Sequence, residues 1–180
     1  MDELVQAALR KWPNVPHCYG WLALDDRGDW YMRDDRIQRA GPFPQVKGSR
    51  IEHAKLLEFI GRNYEADATG QWFFQNGPQR VYVQLACTPW VWRVRWLPEQ
   101  QAPVVMSHTG LAAQVAGAWL DEAGRLYLHD ARLGLGLVHT QDMLDAAQAI
   151  EAGLWAPQDL QASLAPAQFG FVREPVPAPA

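Results

Sequence analysis

His17 and Cys18 are adjacent, and Cys87 closes a run rich in β-formers. A thiol with an imidazole base and an orienting acid is the set that covalent catalysis needs. Adjacency works against it here. Neighbours in a strand point to opposite faces, so His17 is poorly placed to activate Cys18, and Cys87 reads as a small core residue. The histidines, His17, His53, His108, His129 and His139, are scattered. His129 and Asp130 could meet His139 across a loop, but no spacing matches a known zinc site. The turn Asp25-Asp26-Arg27-Gly28-Asp29 is acidic. A calcium loop needs about six to eight oxygen ligands and usually a late bidentate Glu; this turn has Arg in the middle and no such Glu. Gly134-Leu135-Gly136 lacks a third glycine and does not open a helix, which argues against dinucleotide binding. The reading assigns no catalytic residue, no metal and no cofactor.

What remains is aromatic and cationic. The chain has nine tryptophans. From Trp90 to Leu97 the residues alternate, Trp90, Trp92, Val94 and Trp96 against Val91, Arg93 and Arg95, the period of a strand with one aromatic face. Such a face is either core, since each indole covers a large area, or a binding surface, since aromatics and Arg are enriched at hot spots. The candidate binding residues are therefore Trp90, Trp92, Arg93, Arg95 and Trp96. Arg80, in the polar turn segment Asn76–Arg80, either rims such a surface or belongs to a turn. Exposure would make the stripe a partner or self-association surface; unfolding by Trp92→Ala would make it core.

Composition narrows the partners. The 180 residues are 48% apolar and 20% charged, with a net charge of −4, ordinary for a folded protein. No basic face is expected, so nucleic acid is set aside. The N-terminus, Met1-Asp2-Glu3, has no apolar signal-peptide core, and no run nears the ~20 apolar residues that span a bilayer. With only two cysteines, a disulfide scaffold is not expected. A cytoplasmic address without membrane contact is the expectation.

The elements follow from periodicity and punctuation. Asp-x-x-Gly-x-apolar-apolar occurs three times, at Asp25–Tyr31, Asp67–Phe73 and Asp121–Tyr127. Each copy predicts a hairpin end, Asp opening a type I turn and Gly closing its bulge. Leu4, Val5, Ala8 and Trp12 predict a first helix, stopped by Pro13. Ser49-Arg50-Ile51-Glu52 reads as a capping box for a helix through Leu56, Leu57 and Ile60. Thr140 is expected to cap a helix with Met143, Ala147 and Ile150, ended by Gly153. Pro98–Pro103 is the expected boundary. This gives an N-terminal half over 1–98, a second hairpin–helix half over 103–155, and an Ala/Pro-rich tail over 156–180. That tail is extended and mobile unless Trp155, Phe169 and Phe171 dock it.

The run Gly20–Leu24 through Gly28–Tyr31, a capped helix, Asp67–Phe74, and Val81-Tyr82-Val83 closing at Thr88-Pro89-Trp90 resembles uncharacterised proteobacterial families catalogued as domains of unknown function. The likeness covers about residues 13–97 well. It implies a two-part α+β protein of repeated hairpin–helix motifs with a signalling or partner-binding role, and carries over no catalytic residue. The fold class read here is α+β, mostly antiparallel, in two pseudo-repeated halves. The function expected is a non-enzymatic binding or regulatory protein, using the aromatic/Arg surface or a cleft between the halves. It would take a protein partner or a small polar or anionic ligand, apolar burial combining with Arg on the anionic group. Two alternatives stand beside it. One is a small-molecule enzyme drawing on His53, His108, His129, Asp130 and Arg80. The other is a structural subunit, with a homodimer as its simplest form.

Overall fold

The structure is a computed structural model and describes residues 2–177. The chain divides into two compact units. Unit 1 gathers the chain up to Asp25, Asp29–Ala86 and the chain from Gly170; unit 2 gathers Asp26–Gly28 and Cys87–Phe169.

Unit 1 opens with α1 (Glu3–Lys11), acidic in its first turn and basic in its last, as the helix dipole favours. Then come β1 (Cys18–Leu24), β2 (Trp30–Met32), α2 (Asp35–Ala40), β3 (Ser49–Arg50), α3 (Ala54–Arg62), β4 (Tyr64–Ala66), β5 (Trp72–Asn76) and β6 (Gln79–Leu85). The sheet order is β3-β2-β1-β6-β5-β4. Its pairs are antiparallel except β1 with β6. Leu24, Phe73, Val83 and Ile60 are buried in its core.

Unit 2 contains β7 (Trp90–Leu97), β8 (Ala102–Ser107), β9 (Val115–Asp121), β10 (Leu126–Asp130), β11 (Gly134–Val138), a 3-10 turn (Thr140–Asp142), α4 (Met143–Glu151), β12 (Gln158–Leu160) and α5 (Ala165–Phe169). Its sheet order is β12-β9-β10-β11-β7-β8, with β11 parallel to β7 and β12 parallel to β9. Both units thus share one strand plan. A hairpin (β1–β2, β7–β8) is followed by a three-strand meander (β4–β6, β9–β11) whose last strand runs parallel to the hairpin's first. The helices enter at different points, α3 before the meander and α4 after it.

Several local expectations change. The division falls at residues 86 and 87 rather than near 100. Strand β7 belongs with β8 and β11, so Pro98–Gln101 is a hairpin turn and not a linker. Ser49 does not open a capping box, because Ser49 and Arg50 pair with β2; the His53 imidazole caps α3 instead, accepting from Leu56 N–H. Thr140 does not cap α4: it opens the 3-10 turn, which the His139 imidazole caps by accepting from Gln141 N–H, and α4 follows Asp142 without a side-chain cap bond. The tail is docked. Leu160 and Phe171 are buried, and Val172 bridges Gln71. Residues 178–180 of the expected mobile segment lie outside the described residues. No described helix is long and apolar enough to cross a membrane.

Candidate functional site

The three Asp turns share one construction. Gly28, Gly70 and Gly124 have φ of 83°, 81° and 74°, a region that favours glycine. One oxygen of each Asp accepts from the backbone N–H four residues on: Asp29, Gln71 and Arg125. The other accepts from a tyrosine hydroxyl. Tyr31 serves Asp25 at 3.2 Å and Tyr127 serves Asp121 at 2.9 Å, both six residues on. The second turn has Phe73 at that place, and its cross-strand partner Tyr82 reaches Asp67 at 3.0 Å instead. Lys47 pairs with Asp25 and Arg125 with Asp121, both at 2.7 Å. For Asp121, burial is the largest influence and opposes the charge. The N–H of Arg125, the Tyr127 hydroxyl and the Arg125 guanidinium together outweigh it, holding the carboxyl below its usual range. These carboxylates are committed to architecture.

Strand β7 separates the proposed aromatic–Arg surface into two faces. Trp90, Trp92 and Trp96 are 3%, 0% and 8% exposed. Trp92 Nε1 donates to Leu128 O at 2.8 Å and Trp90 Nε1 donates to Leu133 O, so their polar atoms are satisfied inside. Gly136 lies against them; a Cβ there would overlap the Trp92 indole. The indoles are core, and no single surface of Trp and Arg exists. Arg93 and Arg95, one residue out of phase, are exposed on the other face.

That other face forms a groove. Strand β11 follows β7 only as far as Trp92, where His139 N–H donates to Trp92 O at 2.9 Å. Beyond it, carboxylates take over the edge. Val94 N–H donates to Asp142 Oδ2 at 3.0 Å and Trp96 N–H to Asp145 Oδ2 at 3.1 Å. Residues three apart on a helix share a face, as do residues two apart on a strand edge. Asp142 also receives Arg93 bidentately, Nε to Oδ2 at 2.6 Å and Nη2 to Oδ1 at 2.9 Å. Burial opposes the Asp142 charge most strongly, but the Arg93 hydrogen bonds, Val94 N–H and the Arg93 charge hold its carboxyl below the usual range. Arg93, Val94, Arg95, Val104, Met106, Asp142 and Asp145 line a groove of about 310 Å³. Arg93 faces Met106 and Arg95 faces Val104 in the strand register. Arg95 has no hydrogen-bond or ion-pair partner among the described residues.

A family model, DUF2944, with the description "Protein of unknown function (DUF2946)", matches residues 1–176. The chain belongs to this family. No curated protein matches it. Among solved structures it is similar to a DUF1285 family protein from Silicibacter pomeroyi DSS-3, 14% identical, covering 80% of this chain and 82% of that one at a TM-score of 0.50. That likeness concerns the fold alone. A DUF1285 family protein from Shewanella baltica OS155 is 13% identical, over 71% of this chain and 90% of that one, at a TM-score of 0.43.

The remaining candidates in this DUF2944-family chain have local roles. Arg80 sits in unit 1, 4.3 Å over the Phe73 ring. Nearby, Tyr19 stacks on Tyr82 at 4.5 Å, and burial, with Tyr82 next, pushes the Tyr19 hydroxyl up to about 12. His108 packs on Trp90 and its Nδ1 accepts from Val91 N–H at 3.3 Å. His129 packs on Trp119 and Phe169. Asp130 accepts from the N–H groups of Gln114, Arg132 and Leu133. The groove that Asp130 lines with Gln114 and Arg132 contains neither histidine. Cys18 is a free thiol that burial pushes up, away from thiolate. Among the described residues no three His, Cys, Asp or Glu side chains could hold a metal. Sequence reading named Arg93 and Arg95 but missed Asp142, Asp145, Val104 and Met106. An Asp-x-x-Asp at a helix start was the available signal, and nothing local tied it to β7.

Proposed function

We propose that this chain is a non-enzymatic, cytoplasmic binding protein of regulatory type. Its ligand site is the β7–β8–α4 groove of unit 2, where Arg95 holds a polar or anionic group and Val104 and Met106 meet an apolar one. One observation carries this reading. Arg95 is an exposed guanidinium without a partner among the described residues, beside the half-buried Val104 and Met106, whereas Arg93 is already clamped by Asp142. A free planar fork of N–H donors is suited to carboxylate or phosphate. The hydrogen-bonded carboxylates favour binding over acid–base catalysis. Asp67, Asp121, Asp130 and Asp142 are all held ionised by structural partners, whereas a general acid or base works best with a pKa near the operating pH.

Native mass spectrometry of the chain purified from its own cells, as wild type and as Arg95→Ala, tests the reading. The expected result is a bound species on the wild type that is lost from the variant, with the circular dichroism spectrum unchanged. A species bound equally by both would place the ligand elsewhere and defeat the reading.

A further inference from the structure

We propose that the ligand of this groove is a small zwitterion of the α-amino-acid type with an apolar side chain. The inference rests on the reading of the groove as a ligand site and goes beyond it by requiring a cationic group on the ligand.

Charge and geometry in the groove point to such a ligand. Two arginines and two aspartates line the groove. Arg93 and Asp142 close on each other through two hydrogen bonds, so that pair is internally compensated. The other two charges are not. Arg95 makes no ion pair, with Asp145 or any other described residue. Asp145 spends Oδ2 on Trp96 N–H and keeps Oδ1 without a partner among the described residues. The groove therefore offers one open cation, from β7, and one open anionic oxygen, from α4 at the β7 edge, with no charge left over. A ligand bearing a single charge would satisfy one and leave the other as it is. A ligand bearing both satisfies each: its carboxylate accepts from the Arg95 fork, and its ammonium donates to Asp145 Oδ1.

The rest of the lining agrees. Val104 and Met106 are neighbours on one face of β8 and half-buried. Methionine adapts to varied apolar shapes, so the pair suits a short aliphatic side chain. At about 310 Å³ the groove stands at the small end of the roughly 300–1,000 Å³ that ligand sites occupy. Arg95 is exposed, so the affinity is modest, a Kd on the order of 1 mM or somewhat tighter.

The test is a titration of the full, ¹⁵N-labelled chain followed by amide chemical shifts. Three probes are used: leucine, N-acetyl-leucine, which has only the negative charge, and leucine amide, which has only the positive one. Leucine is expected to shift Arg95, Val104, Met106 and Asp145 saturably, and each singly charged probe to bind at least about five-fold more weakly. Asp145→Asn keeps an oxygen for Trp96 N–H, so β7 holds its edge, and it should abolish the preference for leucine over N-acetyl-leucine. Equal binding of leucine and N-acetyl-leucine, unaffected by Asp145→Asn, would overturn the zwitterion while leaving an anion site at Arg95. Failure of all three probes to move any groove amide would overturn the zwitterion and count against the groove itself.

Discussion

At the scale of single residues, the Asp of each hairpin turn, buried in the first and third, joins the backbone of its own loop to a tyrosine hydroxyl. Asp121 is the fullest example. Its side chain is wholly enclosed, and its partners are two backbone N–H groups, Arg125 and Tyr127. Replacing it by Asn puts an amide donor where the carboxylate accepted from Arg125. Asp121→Asn should therefore cost about 1–3 kcal/mol in urea unfolding, and Tyr127→Phe about 1 kcal/mol. The pH dependence follows with a definite sign. Asp67, Asp121, Asp130 and Asp142 have carboxyls lowered by folding. Their stabilisation is present in full above the unfolded value, near ~3.9, and is lost as pH falls through the lower folded values. Urea midpoints measured from pH 7 down to pH 2.5 should drop mainly below about pH 4, and Asp121→Asn should shrink that drop. A midpoint indifferent to acid would contradict the assignment. The turns were legible in the sequence because Asp and Gly act through local geometry. The tyrosine was half legible: a Tyr six residues on marks the first and third copies. In the second, only strand register brings Tyr82 to Asp67.

At the scale of elements, strand β7 carries the core on one face and the proposed ligand site on the other. Its alternation was readable from residue types alone. Which face was buried was not, because indoles serve cores and interfaces equally well. Trp92 decides it: no part of it is exposed and its Nε1 is bonded inside. Trp92→Ala should cost about 3–5 kcal/mol and unfold the protein at moderate urea. Gly136→Ala should also destabilise strongly, since its methyl would meet that indole. The Arg93–Asp142 pair is half in solvent, with Arg93 52% exposed. A double-mutant cycle should give a coupling of only about 0.5–1 kcal/mol. Asp142→Ala should nevertheless cost more than Arg93→Ala, because it also strips the acceptor from Val94 N–H. Helix starts depart from local chemistry for a related reason. Ser49 has the right chemistry for a cap, but a ladder with β2 claims it, and histidine imidazoles do the capping at 53 and 139.

At the scale of the molecule, the α+β class and two similar halves are legible in the hairpin and helix signals, but the halves share a strand plan and not a hairpin–helix unit, since α3 precedes its meander and α4 follows its own. The parallel seams, β1 with β6 and β7 with β11, join segments more than forty residues apart and left no local trace. A proline-flanked polar stretch reads alike as linker or hairpin turn, which is why the boundary was set beyond β7. The Ala/Pro-rich tail is held by the docking that its aromatics allow, with Trp155 and Phe171 buried. Val172 N–H donates to Gly70 O, and Leu85 N–H donates to Arg173 O, both at 2.9 Å. Removing residues 170–180 should therefore expose the Leu85 amide to hydrogen exchange and lower the stability of unit 1. Unchanged protection at Leu85 would show that the tail is dispensable to it. Under the proposed function, β7 binds with one face while folding with the other. The most direct measurement is a leucine titration of labelled wild type and Arg95→Ala, each checked for the same unfolding midpoint. Saturable shifts along β7 and β8 are expected in the wild type and none in the variant. Equal shifts in both proteins would contradict it.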